Sequence, residues 1–136
     1  MALTATDAAE DLRWTRAKVE LGAQFLITQL FFDNDDYFRF VERARAAGVD
    51  VPITPGIMPI TNVAQIERFT KMCGARIPPG LLERLRRAGD DPGAVMATGI
   101  EHAIVQCRGL LAGGAPGVHF YTLNKSHATR SILAAV

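Results

Sequence analysis

A carboxamide stands inside the most apolar short run of this chain. Residues 26–33 read Leu-Ile-Thr-Gln-Leu-Phe-Phe-Asp, a length that suits a buried strand and falls short of an ordinary helix. Gln29 occupies a position where a parallel strand covered on both faces carries Val, Ile or Leu, and an unpaired amide there would cost on the order of 1–3 kcal/mol. It therefore needs a partner. That partner is either a neighbouring backbone group, as for most buried polar side chains, or a ligand at the carboxyl end of the strand, where α/β folds gather their chemistry. Lys125 is a second candidate, because it directly follows the third apolar run and precedes a helix start. The helix dipole disfavours a cation there, so Lys125 is either a plain surface lysine or the partner of an anionic guest.

The remaining polar candidates are weaker when read from pattern alone. Gln65 and Phe69 lie one turn apart on a helical stretch, where Gln reads as surface and Phe as core. Asp11 and Lys18 fall on the first helix and match its ordinary charged face. His119 and Tyr121 read as structural, since nothing acidic accompanies the imidazole to form a proton relay. No metal-ligand spacing, glycine-rich phosphate loop or nucleophile–base pair can be read from residue order.

These residues need elements to hold them, and the chain supplies a recurring order. Asp7 to Leu21 is expected to be helical, with Leu12, Val19 and Trp14 on its apolar face, acidic residues early and Arg16 and Lys18 late. Gly22 ends it, and a strand over 24–31 follows. Asp33-Asn34-Asp35-Asp36 launches a helix over about 36–47 with Tyr37, Phe40, Val41 and Ala44 inward. Val51 to Met58 is a second strand, in which Pro55-Gly56 predicts a bulge or bend, or a close approach of backbone to a ligand. Thr61-Asn62 caps a helix to about Lys71, with Val63, Ile66 and Phe69 available to the sheet. A loop with two prolines, 74–80, then leads to a short basic helix over 81–87. Asp90-Asp91-Pro92 starts a long helix to about Leu111, and Gly113-Gly114 breaks it. A third strand over 118–123 and a final helix to about Leu133 complete the chain. Helices alternating with short apolar strands imply parallel strands joined by crossovers.

Composition narrows the function classes. The 136 residues are 49% hydrophobic and 21% charged, ordinary for one globular domain. A formal charge of +1, without a basic block, argues against a nucleic-acid partner. The two cysteines, Cys73 and Cys107, lack both metal-pair spacing and disulfide density, and they read as small hydrophobes in a reducing compartment. No stretch reaches the roughly 20 apolar residues of a membrane span, and the polar start lacks a secretory apolar region. A cytoplasmic protein without a membrane partner is expected.

Three runs also carry a likeness to a known family. Ile27-Thr28-Gln29-Leu30-Phe31-Phe32-Asp33, Pro55-Gly56-Ile57-Met58-Pro59 and His119-Phe120-Tyr121-Thr122-Leu123-Asn124 resemble successive signatures of the methylenetetrahydrofolate reductases, in order and over nearly the whole chain from about Asp11. In that family these motifs mark the last three strands of an eight-stranded flavin barrel. The resemblance implies an α/β fold consisting of the last three β/α units of an incomplete (β/α)8 TIM barrel with parallel strands. Residues 1–136 would form its C-terminal part, with 1–6 disordered. The length agrees, since a complete barrel takes about 200 residues or more.

The same resemblance implies an FAD-dependent oxidoreductase of one-carbon metabolism and methionine biosynthesis. Such an enzyme passes a hydride from NAD(P)H through the flavin to methylenetetrahydrofolate, giving methyltetrahydrofolate. By position, Gln29 would contact pterin or nicotinamide, and Gln65 and Phe69 the folate or the nucleotide. Lys125 would meet the glutamate tail of folate, where many relatives carry Arg. Asp11 and Lys18 would meet the ribose and phosphate region of FAD, although Trp14 and Ala17 do not match the family's neighbouring cofactor positions. No catalytic residue is assigned, because the family's acidic group belongs to earlier strands. The lone chain is therefore expected to be inactive, with a second chain supplying the missing strands or a homo-oligomer forming. The alternatives are a non-catalytic binding module and a tetrahydrofolate-dependent methyltransferase paralogue.

Overall fold

The computed structural model describes residues 8–136; Asp7 and the segment 1–6 lie outside the described residues. Helix α1 (Ala8–Glu20) opens with Glu10 and Asp11 in its first turn and closes with Lys18 in its last, the charge order that complements the helix dipole. Its buried contact is Thr15, whose hydroxyl donates to the Asp11 carbonyl at 2.7 Å, with Leu12 and Val19 packed against the core. Trp14 is 57% exposed, so the expected inward position is corrected: Thr15 takes that place on the helix face. Gly22, at φ +104°, turns the chain into β1 (Leu26–Leu30).

Helix α2 (Asn34–Ala46) starts two residues earlier than its sequence suggests. Asp33 is its N-cap, accepting from the Asp35 N–H at 3.0 Å. Strand β2 (Ile53–Ile57) leads to α3 (Val63–Cys73), capped by Asn62 on the Gln65 N–H and closed by Gly74 in the left-handed region. The expected proline loop ends sooner than anticipated, because Pro79 opens α4 (Pro79–Ala88). Asp91 caps α5 (Pro92–Ala112), then come β3 (His119–Phe120) and α6 (Ser126–Leu133). The third strand is only two residues long, against the six expected, because the backbone leaves the ladder for left-handed turns at Leu123 and Asn124.

The strands form one parallel sheet in the order β1-β2-β3. Two apolar clusters flank it. The first joins Phe40 and Ala44 of α2, Ile53 and Ile57 of β2, Cys107 and Leu110 of α5, and Ile132 of α6. The second gathers at the carboxyl ends of the strands, where Leu30, Phe32, Met58 and Ile60 meet Ile66 of α3 and Leu81 and Leu85 of α4. Burying a side chain such as Phe40 or Ile57 contributes about 1.5–3 kcal/mol each, and the two clusters make α3 and α4 a cap over the strand ends.

The bend predicted at Pro55-Gly56 is displaced. Strand β2 runs straight through both residues, and the irregularity falls on β1: Ile27 pairs with Thr54, but Leu30 pairs with Gly56. One extra β1 residue is accommodated there. Pro55 has no N–H to give the ladder, and the Thr28 carbonyl accepts instead from the Tyr121 hydroxyl at 2.8 Å.

Candidate functional site

At the carboxyl ends of the strands a small recess of about 20 Å³ is lined by Met58 and Pro59 beyond β2, Gln65 of α3, Tyr121 and Leu123 beyond β3, and Lys125. Gln65 and Lys125, 60 residues apart in sequence, thus share one cavity wall. The position of each follows from local rules. Gln65 sits in the first turn of α3 because Asn62 caps that turn. Lys125 stands at the N-cap of α6 after the paired left-handed residues Leu123 (φ 50°) and Asn124 (φ 62°). Asn tolerates that conformation; Leu does so at a cost, a local strain of the kind that collects at ligand sites. Leu123 had no sequence signal of its own.

Gln29 is exposed, which corrects the expectation of a buried amide in need of a partner. Burial alternates along β1: Leu26, Thr28 and Leu30 are buried, while Ile27 is half-buried and Gln29 exposed, so the amide lies on the more open face of the strand. The side chain is nevertheless tied to the cap, since its Oε1 accepts from the Cys73 thiol at 3.8 Å. Cys73, Phe69 and Gln65 recur every four residues along α3, so one helical stripe leads from the Gln29 end to the recess. Phe69 is half-buried on that stripe against the second cluster.

Lys125 is exposed and offers no side-chain acceptor to α6. Nearby Thr129, which also lines the recess, has a buried hydroxyl without a hydrogen-bond partner among the described residues. A cation, an uncapped helix start and an idle hydroxyl together suit a negatively charged group. Tyr121 and His119 meet edge to face, ring centroids 4.8 Å apart. Burial raises the Tyr121 phenol above 10.0, with the Cys73 thiol adding to the shift, so the hydroxyl stays protonated as a donor at neutral pH.

Two functional-looking residues escaped sequence reading altogether. The carbonyls of Phe31 and Phe32, just past β1, are held by α5: Gln106 Nε2 donates to Phe31 at 3.0 Å, and His102 Nε2 bonds Phe32 at 2.9 Å. Their spacing of four on α5 was the available signal, but nothing in the sequence says what they face. Cys107, on the same helix, is a buried thiol pushed up to about 11 by desolvation and therefore inert. Among the described residues no group of three or more His, Cys, Asp or Glu could hold a metal ion, and no helix is long and apolar enough to cross a membrane.

Asp11 and Lys18 lie away from this recess, on α1 beside β1. Asp11 keeps a buried carboxylate oxygen, Oδ2, with no hydrogen-bond partner among the described residues. Lys18 is exposed and borders an apolar groove with Leu21, Phe25 and Ile27. The exposed Lys18 ammonium suits a phosphate, and the Asp11 carboxylate is of the type that accepts from ribose hydroxyls, although Asp11 is not among the residues lining the groove.

The arrangement is that of an α/β protein with polar candidate groups beyond the carboxyl ends of parallel strands. The chain belongs to the methylenetetrahydrofolate reductase family: the model of that family, described as methylenetetrahydrofolate reductase, matches residues 1–136. It is 41% identical over 127 residues to "Probable methylenetetrahydrofolate reductase (NADPH)" of Caenorhabditis elegans, covering 93% of this chain and 19% of that protein. To "Methylenetetrahydrofolate reductase 1" of Schizosaccharomyces pombe it is 38% identical, covering 93% and 21%. To "5,10-methylenetetrahydrofolate reductase" of Escherichia coli it is 37% identical over 128 residues, covering 94% and 43%. The chain thus spans less than half the length of these relatives.

Proposed function

We propose that this chain forms the last three β/α units of a methylenetetrahydrofolate reductase barrel and carries part of the folate and nicotinamide site. The observation that carries the reading is the shared recess of Gln65 and Lys125, reached along the α3 stripe that begins where Cys73 meets Gln29. Gln29 offers both a donor and an acceptor to the edge of a pterin or a nicotinamide. Phe69 presents an aromatic face to a flat ring. Gln65 fixes the same substrate from the next turn. Lys125, with the Thr129 hydroxyl beside it, receives the carboxylate tail as a point charge, without the bidentate clamp that Arg would give.

Asp11 and Lys18 would hold the ribose and phosphate region of FAD. Bound there, the flavin supplies the hydride chemistry between NAD(P)H and methylenetetrahydrofolate, and the protein's part is to orient the partners. The outer strands β1 and β3 would pair with strands supplied from elsewhere, closing the incomplete barrel. The exposed Leu21 and Phe25 beside β1 support that reading. A cytoplasmic enzyme of methionine biosynthesis follows from the same proposal.

The test is an assay with FAD, NADH and menadione, first on the 136-residue chain and then on protein containing the remaining strands. No turnover by the chain alone, flavin absorbance with turnover in the complete protein, and a folate KM raised at least tenfold by Gln29→Ala are expected. A complete protein that binds no flavin would sink the assignment, as would an unaltered folate KM in the Gln29 variant.

A further inference from the structure

The hydroxyl of Tyr121 does not point into solvent beside the recess. It crosses the sheet, from just beyond β3 over β2 to β1, and donates to the Thr28 carbonyl at 2.8 Å, a contact between residues 93 apart in sequence. Gly56 of β2 lies beneath that crossing. A Cβ on Gly56 would stand 2.4 Å from the Thr28 oxygen and 2.6 Å from Tyr121 Cε2, so the path is open only because that residue has no side chain. The close approach the sequence suggested at Pro55-Gly56 is therefore made by the protein's own tyrosine.

Thr28 completes the arrangement. It is fully buried, and its hydroxyl accepts from the Gly56 N–H at 2.9 Å while donating to the Gln29 carbonyl at 2.8 Å. The peptide before Gln29 is thus held by Tyr121 through the Thr28 carbonyl, and the peptide after it is held by Thr28 through the Gln29 carbonyl. Both backbone dihedrals of Gln29 lie between two anchored peptide planes. The Gln29 side chain is exposed, yet the backbone that launches it is fixed. The His119 ring packs edge-on against the Tyr121 phenol, their centroids 4.8 Å apart.

We infer that Tyr121 is a positioning residue for Gln29: its hydroxyl, passing over Gly56, locks the Thr28–Gln29 peptide so that the carboxamide meets a heterocycle in one orientation. The inference rests on the substrate role proposed for Gln29. Fixing the launch point of a long polar side chain removes freedom that binding would otherwise have to freeze, and small misplacements at such sites are costly to rate.

Tyr121→Phe tests it, since only the hydroxyl is lost. In the 136-residue chain, amide exchange at Gln29 and Leu30 is expected to accelerate about tenfold or more, with Leu26 unchanged. Equal exchange at Gln29 in variant and parent overturns the lock, whatever the enzyme does. In the complete reductase, the same variant is expected to raise the KM for the heterocyclic substrate about tenfold with a smaller change in kcat. That penalty should vanish in a Gln29→Ala background. The same penalty in both backgrounds overturns the positioning role, because a merely structural bond would cost both equally. Faster exchange at Gln29 with an unchanged KM supports the lock and instead removes the substrate role of Gln29. If Tyr121→Phe does not fold, Tyr121→Met removes the same hydroxyl while filling the path over Gly56 with a flexible apolar chain, and it is read by the same measurements.

Discussion

The two apolar clusters of this chain do different work. The base layer, where β2 packs on α2, α5 and α6, is closed by fully buried Phe40, Ile57, Leu110 and Ile132. The cap, α3 and α4 over the strand ends, buries Ile66, Leu81 and Leu85, but several of its polar links to the rest of the chain are side-chain tethers. Arg76 reaches Asp36 at 2.9 Å, Arg84 reaches Glu101 at 2.5 Å, and Cys73 touches Gln29. The base positions the strands. The cap carries Gln65 and Phe69. If the cap opens more readily than the base, the groups it carries are expected to loosen before the fold is lost.

The largest effect that separates the layers comes from paired truncations. Phe40→Ala is expected to cost about 3–5 kcal/mol and Ile66→Ala about 2–4 kcal/mol, the usual range for emptying a packed position. Phe40→Ala should lower the denaturation midpoint of the whole chain. Ile66→Ala should speed exchange mainly in α3 and α4, with a smaller shift of the global midpoint. Uniform acceleration in both variants would show one cooperative unit and erase the distinction.

Next in size is Gly99→Ala, at the point where α5 of the base runs under the cap. An added Cβ would lie 1.9 Å from the Ile60 carbonyl oxygen and 2.8 Å from its carbon. Alanine is worth about 1 kcal/mol over glycine inside a helix, but forcing backbone apart typically costs about 1–3 kcal/mol and here has no flexible neighbour to yield. A net loss of about 2 kcal/mol is expected from urea denaturation. A stabilised variant would mean that α5 and the cap can separate freely.

How much of this could be read in advance follows the same division. The base was legible because its information is local: Asp33 and Asp91 cap their helices, Phe40 and Ala44 repeat at helical spacing, and β1 and β2 are short apolar runs. The candidate site was legible as a set of residues only with the help of the family motifs. Its geometry was not. Nothing near Gln29 in sequence says that only one face of β1 is well covered, so the cost assigned to burying its amide did not apply. Tyr121 passed as a structural residue because its partner is 93 positions away. Asp36 reads in sequence only as part of the cluster that starts α2, and its partner Arg76 is 40 residues away, yet the Asp36 side chain is only 6% exposed.

That tether gives a smaller effect of the same kind. Asp36 Oδ1 accepts from Arg39 at 2.7 Å and from Arg76 at 2.9 Å, while both guanidinium groups remain more than half exposed. Solvent screens the attraction from the arginine side, but the carboxylate is largely dehydrated and depends on its partners. Asp36→Asn keeps the shape and removes the charge, with an expected loss of about 1–2 kcal/mol. Arg76→Gln should leave the midpoint nearly unchanged and loosen the connector between α3 and α4, seen as faster exchange at Ala75 and Ile77. Protection there equal to that of the parent would show that apolar packing alone holds the cap.

The smallest effect is a pH dependence at the joint between the layers. His102, on α5 of the base, bonds the Phe32 carbonyl at 2.9 Å, and Phe32 belongs to the cap cluster. Because the carbonyl can only accept, Nε2 carries a proton in this contact. Burial lowers the His102 pKa below its usual 6.5; the Phe32 bond opposes that shift, and the charge of Arg84 reinforces it. The native state therefore binds a proton less readily than the unfolded chain, and stability rises with pH wherever the unfolded state holds more protons. The contribution is complete above pH 6.5 and is lost as the pH falls below that value toward the lowered native pKa. Urea midpoints measured from pH 7.5 to 5.5 should fall on the acid side. His102→Gln can keep a donor on Phe32 without titrating, and it should flatten that fall. An identical acid-side slope in His102→Gln would assign the titration to other groups and leave His102 as a tether only.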